Sequence, residues 1–548
     1  MPYESVSVAG QENRSPASFF RIRTLALAVG AVALLALAGC ATTRPAASSF
    51  ARTPSRAISP DAPGPLAGSF AAARAAHPGE SGLRLLVTGA DALSARIALA
   101  RSASKTLDIQ YYIAEEDDTG KLLLEAALRA AQRGVRVRML FDDMNFKDID
   151  SLMATMNATP NIEIRVFNPF VTHKENMLRR MANVVTHLDS LTRRMHNKAM
   201  IADNQAAITG GRNVSDEYLG TGAAISFRDL DILSVGPVVP KISDSFDTFW
   251  NSEEAYPLKA LNDQHFDAAD IANVREKLRA HWDEMSSVTG GPELDEPPLA
   301  RQIRSGEMGL TWARASFYTD TPDKIVKPTD DYVSPPVERL KELSAQAKTE
   351  LLIISPYFVL HEAGIDALGA LVARGVHVSV LTNSLAATDA PAVQAGYAPA
   401  RIPLLERGVS LFEFKPLDGR PKTSVTGSKS HASLHAKAYV IDRQILLIGS
   451  MNLDPRSVGL NTEMAMEVQS PLLAQQVATL FDKATSPDES FHVTLADQAT
   501  NATGKASSLV WTTLENGRTV QYDADPGAGV WRKLLTGVFF VLPVKNQL

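Results

Sequence analysis

Cysteine is almost absent from this 548-residue chain, and the single Cys40 excludes any intrachain disulfide. An excess of basic charge is also missing. The 55 Lys and Arg residues are outnumbered by 61 Asp and Glu, for a formal net charge of -6, so there is no basic field for bulk capture of nucleic acid. The uncharged apolar run Leu25 to Ala38 stops short of the roughly 20 residues that a membrane-spanning helix needs. Metal-ligand spacing is lacking too. His173, His187, His361 and His431 have no cysteine or paired carboxylates at ligand distance in sequence. His431 stands four residues before His435, but the segment between them reads as loop into strand. No metal or other cofactor is expected.

What is present is 45% apolar residues, the composition of a globular chain, in a length that suggests two to four domains. The lone cysteine sits in an informative place. Arg21 and Arg23 precede the apolar run, small residues follow it, and "LAGC" ends at Cys40. That order is that of a signal peptide, and "LAGC" resembles a bacterial lipobox. The resemblance implies cleavage before Cys40 and acylation of its thiol and new amino group. Ala41 stands where an aspartate would imply inner-membrane retention, so the expected location is the bacterial cell envelope, lipid-anchored and periplasm-facing, with the outer membrane preferred. Residues 40–65, rich in Ala, Pro, Ser and Arg, read as the acylated cysteine and a flexible tether.

Beyond the tether the chain repeats itself. "SKTLDIQYYI" (104–113) and "TELLIISPYFV" (349–359) both read as buried strands, each followed by a helical pattern ending at glycine. "RGVRVRMLFDD" (133–143) is matched by "RGVHVSVLTNS" (374–384), and "IEIRVFNPF" (162–170) by "VSLFEFKPL" (409–417). "HNKAMIADNQAAITGGRN" (196–213) is matched by "HAKAYVIDRQILLIGSMN" (435–452). The offset is 241 residues at Arg133 and Arg374 and 239 at His196 and His435, as tandem duplication would leave it. Each copy alternates helical patterns with short Val/Ile/Leu runs, the pattern of an α/β fold with a mixed or parallel sheet flanked by helices. The expected boundaries are 1–39 for the signal peptide, 40–65 for the tether, 66–285 for the first domain and 286–330 for a linker. The second domain follows at 331–490. A C-terminal segment, 491–548, ends in the apolar "WRKLLTGVFFVLPVKNQL", which reads equally well as an interfacial segment or as one docked on the core.

Read as a strand, the first motif copy throws His196, Lys198 and Met200 onto one face. The turn after it brings Gly210, Gly211 and Asn213, where glycines let backbone approach an anion and an amide can donate to it. The second copy presents His435, Lys437, Gly449, Ser450 and Asn452 at the same spacing, with Asp203 and Asp442 also matched. A lone His-x-Lys says little. The full pattern, repeated at equivalent places, says much more, because an imidazole and an ammonium buried together need an anionic partner.

These residues resemble the signature of the phospholipase D superfamily, over nearly the whole mature length. "TRRMHNKAMIAD", "GGRNVSDEY", "LTNSLAATD", "SLHAKAYVID" and "GSMNLDPRS" are closest to its bacterial cardiolipin synthase C type. The resemblance implies two tandem phospholipase D-like domains packed with pseudo-twofold symmetry, their motifs joined into one active site of His196, Lys198, Asp203, His435, Lys437 and Asp442. Phosphodiester exchange suits that set. The two lysines neutralise the phosphoryl oxygens, and Asn213, Asn452, Gly211 and Ser450 bind the phosphate. One histidine attacks phosphorus to give a phosphohistidine, and the other is the acid and then the base. The resemblance makes His196 the nucleophile and His435 the acid, an order that the near-symmetric sequence itself leaves open. Asp229 lies eight residues before Pro237 and Glu463 eight before Pro471, which pairs them as the carboxylates that orient the histidines; Asp231 competes for the first place. Asp203 and Asp442 are expected to brace the motif, with a salt bridge across the halves as one form.

The implied activity is a phosphatidyltransferase making cardiolipin from phosphatidylglycerol and a second phospholipid. A phospholipase D-type hydrolase would use the same intermediate with water as acceptor. A nuclease fits the superfamily but not the charge balance or the exported location, and a scaffold without activity does not fit two intact motifs. The expected partners are phospholipids in a membrane and not nucleic acid. The sequence assigns no oligomeric state.

Overall fold

The computed structural model describes residues 51–143, 150–169, 193–220, 225–261, 266–287, 293–327, 331–416, 431–496 and 509–528. Cys40, the segment expected to be a signal peptide, His173, His187 and the apolar tail lie outside these residues. Among the described residues, no helix is long and apolar enough to cross a membrane.

The repeated strings fold into equivalent strands. In the first half these are β1 (Ser81–Leu86), β2 (Thr106–Tyr111), β3 (Arg136–Asp142), β4 (Ile162–Phe167), β5 (Ala199–Ala202), β6 (Ala206–Gly210), β7 (Ile225–Arg228), β8 (Asp231–Val235) and β9 (Ala255–Pro257). In the second they are β10 (Thr311–Thr319), β11 (Glu350–Ile354), β12 (His377–Asn383), β13 (Ser410–Phe414), β14 (His431–Leu434), β15 (Ala438–Ile441), β16 (Ile445–Gly449), β17 (Met464–Gln469), β18 (Ser490–Leu495), β19 (Leu509–Glu515) and β20 (Arg518–Tyr522). The pairings run β9-β4-β3-β2-β5-β6-β8-β1 in the first half. They run β10-β17-β16-β15-β11-β12-β13-β18 in the second, which has the same order, and then continue into β19 and β20. β1 pairs antiparallel with β10, so the two sheets join edge to edge into one mixed sheet of 18 strands.

Helices flank this sheet. After β2 comes the helix Asp118–Gln132, capped when the Asp117 side chain accepts from Gly120 N, and after β11 comes Glu362–Ala373. The glycines that end them, Gly134 (φ 90) and Gly375 (φ 89), hold left-handed backbone that other residues seldom adopt. One apolar cluster lies on the outer side of each half. A third is shared and draws Ile201, Phe246 and Trp250 from the first half and Val440, Val477 and Phe481 from the second. The helices Val239–Trp250 and Pro471–Ala484 are equivalent contributors to it. Burial of this shared face is what holds the halves together about their pseudo-twofold axis.

Two segments expected to be connecting chain carry structure, and so does the start of the C-terminal segment. Residues 51–62 are tied to the body: Arg138 Nη1 donates to Ser55 O (2.9 Å), Gln205 Nε2 to Pro60 O (2.7 Å), and Ala57 N to Asp247 Oδ2 (2.8 Å). The 286–330 bridge supplies a helix, Pro298–Ser305, and β10 at the centre of the sheet. Past residue 491, β19 and β20 extend the sheet edge.

Candidate active site

Both histidines lie just before a strand rather than within one. β5 begins at Ala199 and β15 at Ala438. The sequence placed His196 and Lys198 on the strand itself. Here the backbone pairs instead with the opposite half: Met195 bridges to Thr462, and His196 N donates to Thr462 O (3.0 Å). Reciprocally, His435 N donates to Arg228 O (2.8 Å), next to the parallel pair β7–β14. Thr462 and Arg228 are the residues before Glu463 and Asp229. Each half therefore delivers a carboxylate to the other half's imidazole.

The resulting geometry is crosswise. His196 Nδ1 lies 2.9 Å from Glu463 Oε2, and His435 Nδ1 lies 2.6 Å from Asp229 Oδ2. Asp231, the competitor, is elsewhere: it pairs with Arg96 (2.9 Å) and Arg212 (3.4 Å), both buried. With each Nδ1 turned to a carboxylate, each Nε2 is the nitrogen left for chemistry.

His196, Lys198, Asp229, His435, Lys437 and Glu463 are all buried, and their electrostatics are not symmetric. Burial holds His196 well below its usual value, and Lys198, Lys437, His435 and Arg456 add cationic repulsion. Burial and Lys437 also lower His435, but Asp229 opposes them. Burial pushes Glu463 up to about 7, against the pull of Lys198, Ser450, Ser457 and Lys324. Burial would raise Asp229 as well, but His435, Lys437 and Arg212 outweigh it and hold that carboxyl well below the usual range. Lys198 falls to about 7 and Lys437 to about 8, chiefly through burial. A neutral imidazole is thus favoured at His196, while His435 faces a firmly ionised carboxylate.

The lysines reach their own motif first. Lys198 Nζ donates to His196 O (2.7 Å), and Lys437 Nζ donates to His435 O and lies 2.9 Å from His435 Nδ1. Aromatic rings frame the imidazoles. Tyr112 stands edge-on to His196 at 5.2 Å, Tyr218 edge-on to His435 at 4.9 Å, and Phe227 tilts against His435 at 5.0 Å.

The four residues assigned to phosphate binding divide. Asn213 and Asn452 are buried at the turns beside the motif. Asn213 Oδ1 accepts from Ile113 N (3.2 Å), whereas Asn452 Oδ1 has no partner among the described residues. Ser450 is a correction: its hydroxyl donates to Glu463 Oε2 and accepts from Met464 N, which makes it a support for the carboxylate. Gly211 is another: a Cβ there would stand 2.1 Å from Asp229 Oδ1, so the glycine makes room for that carboxylate. Glutamate, one methylene longer, leaves space at the equivalent place for the Ser450 hydroxyl.

Asp203 and Asp442, grouped with the catalytic residues by sequence and expected to brace the motif, are placed as braces. The Asp203 carboxylate accepts from Ser104 N and Oγ, Lys105 N and Thr106 N at 2.7–2.9 Å. Asp442 accepts from Lys348 N, Thr349 N and Oγ, and Glu350 N at 2.8–3.1 Å. Each fastens its hairpin to the start of β2 or β11, and among the described residues no salt bridge joins them across the halves. Both have left-handed backbone (φ 51) in the turn, which aspartate tolerates better than most residues.

Sequence reasoning missed Asp142 and Asn383. Met195 N donates to Asp142 Oδ2 (2.9 Å), and Leu434 N to Asn383 Oδ1 (3.0 Å), so each fixes the residue before a histidine. The signal was available, since they occupy equivalent places at the ends of the matched strings 133–143 and 374–384. Among the described residues, no group of His, Cys, Asp and Glu is arranged to hold a metal.

Comparison with known proteins agrees with this architecture. A family model described as cardiolipin synthase, PLD-like domain, matches residues 97–231 and 340–485. Cardiolipin synthase C of Escherichia coli is 35% identical over 474 residues, covering 86% of this chain and 96% of that protein. Cardiolipin synthase A of Pseudomonas entomophila is 26% identical over 409 residues, covering 73% of this chain and 69% of that protein. The crystal structure of phosphatidylserine synthase from Haemophilus influenzae shares the fold, with a TM-score of 0.54 at 15% identity, over 88% of this chain and 100% of that one. The chain belongs to the cardiolipin synthase, PLD-like family.

Proposed function

We propose that the protein is a phosphatidyltransferase of the phospholipase D superfamily that makes cardiolipin from phosphatidylglycerol and a second phospholipid. The observation that carries the reading is the pair of buried imidazoles, each with Nδ1 held by the opposite half's carboxylate. His196, kept neutral, attacks phosphorus through Nε2 and forms a covalent phosphatidyl–histidine. His435, held through Nδ1 by Asp229, acts in its protonated form and gives the Nε2 proton to the departing alkoxide. It then takes a proton from the incoming hydroxyl, whose oxygen attacks phosphorus and releases Nε2. Lys198 and Lys437 offset the charge that gathers on the phosphoryl oxygens, with Asn213 and Asn452 as fixed donors. Cys40, acylated, anchors the chain to the envelope membrane that supplies the lipid.

The test is direct. Purified protein is incubated with labelled phosphatidylglycerol, with and without phosphatidylethanolamine, and the lipids are read by mass spectrometry. Cardiolipin supports the transferase. Phosphatidic acid alone makes the protein a hydrolase, and no turnover of either lipid defeats both readings.

A further inference from the structure

The two orienting carboxylates meet the same physical problem, a buried charge that must stay ionised. Beneath Asp229 the cation is Arg212, from the turn "GGRN", whose guanidinium also bonds Asp229 O and Leu86 O. The equivalent residue of "GSMN" is Met451, which carries no charge. The second half fills the place from elsewhere. Lys324, 1% exposed, lies in the segment read from sequence as a linker, and its ammonium donates to Asp320 Oδ2 (2.7 Å) and to Ser457 O (2.8 Å). Asp320 in turn grips Glu463 by the main chain: Asp320 N donates to Glu463 O (2.9 Å), and Glu463 N to Asp320 Oδ2 (2.8 Å). Ser457 closes the circuit, its hydroxyl donating to Glu463 Oε1 (2.7 Å).

We propose that Lys324 and Asp320 are positioning residues for the reaction: they fix Glu463 and Ser457 so that Glu463 faces His196 Nδ1 as a carboxylate and His196 Nε2 keeps its lone pair. The role rests on the reading of His196 as the attacking group. One added proton removes that lone pair wherever it settles. On the ring it makes an imidazolium. On Glu463 it turns the bond round, so that Nδ1 accepts and Nε2 carries the hydrogen.

Other charged groups face this pair and stay constant in the test. Lys198, Lys437, His435 and Arg456 surround His196. Asp454, pushed up to about 7 by burial, lies near Glu463, as do Tyr112 and Tyr439. Asp142 and Asp229 act on Lys198.

The experiment compares Lys324→Met, Asp320→Asn and the double variant with the native chain. The acid limb of kcat/KM is measured on phosphatidylglycerol vesicles and on bis(4-nitrophenyl) phosphate. Carbethoxylation of His196 by diethyl pyrocarbonate, which needs a free ring lone pair, is followed against pH by peptide mass spectrometry. Lys324→Met removes a cation, so the His196 midpoint should rise by on the order of one pH unit. Asp320→Asn removes an anion and should lower it. The double variant should fall between, and His435 should not move. Equal-direction shifts, or unmoved midpoints in folded variants, overturn the proposal. If Lys324→Met does not fold, the other two carry the comparison. Turnover of the small diester without lipid turnover defeats the lipid reading alone, and the carbethoxylation midpoint decides the role of Lys324 even if neither substrate reacts.

Discussion

His196 Nδ1 lies 2.9 Å from the carboxylate of Glu463, a residue 267 positions further along the chain. The reciprocal contact, His435 to Asp229, spans 206 positions in the other sense. Neither half can orient its own imidazole, so the duplication is a working dimer within one chain.

Glu463→Gln keeps the volume but replaces an acceptor with an amide that can donate to Nδ1 and set the wrong tautomer. A loss of roughly 10²–10⁴-fold in kcat is expected, with little change in KM. Steady-state kinetics on phosphatidylglycerol vesicles read it, and a loss confined to KM would contradict an orienting role.

His196→Ala should abolish turnover and His435→Ala should lower it by about 10²–10⁴-fold, while a chelator leaves the rate unchanged. The variants differ with a phosphatidyl ester of 4-nitrophenol, whose departure needs no acid. His435→Ala should then accumulate a phosphatidyl adduct on His196, seen in intact-protein mass spectra. An adduct on His435 in the His196→Ala protein would reverse the assignment.

The pH profile follows from two groups of opposite sense. As pH falls through about 7, the His196–Glu463 pair gains a proton and Nε2 loses its lone pair, so activity drops on the acid side. As pH rises past about 7 for Lys198 and about 8 for Lys437, the ammonium charge that attracts phosphate is lost. Loss of the His435 proton acts in the same sense as loss of the lysine charge, so kcat/KM should peak at about 7 and fall on both sides. Bound phosphate restores the lysine charge, so the alkaline limb of kcat should lie higher than that of kcat/KM.

Gly211→Ala places a methyl 2.1 Å from Asp229 Oδ1. Asp229 must move, so His435 loses its partner. A stability loss of about 1–3 kcal/mol by denaturant titration should accompany a fall in kcat. Ser450→Gly should keep the fold and shift the acid limb upward, since Glu463 loses a donor to its charged form.

Asp203→Asn removes an ionised acceptor from three backbone amides and a hydroxyl. The expected cost is about 2–4 kcal/mol of stability, with turnover per folded molecule nearly intact. A large loss of kcat in a fully folded Asp203→Asn protein would return this residue to the chemistry.

Much of this protein is written in the order of its residues. The matched strings gave β2–β4 and β11–β13 their places, because a buried parallel strand needs an apolar run and its crossover helix needs a glycine to stop. The two motifs and their histidine, lysine and asparagine side chains were readable for the same reason: spacing along a strand and a tight turn is a local property. Even the candidate carboxylates could be picked out, by their common distance to Pro237 and Pro471. Which carboxylate serves which histidine could not. That choice depends on Thr462 and Arg228 accepting from the opposite half's main chain, and a contact across 200 residues leaves no local pattern. The same holds for Ser450 and Gly211, whose difference is one of free space beside Glu463 and Asp229. Lys324 is the furthest from legible, since nothing in a Pro-rich bridge announces a cation that burial sets beneath Glu463. The sequence alone determined the chemistry available, because side-chain type and local spacing are its own. Only the tertiary structure decided how the two histidines differ, because that difference is made by burial and by charges brought from the other half.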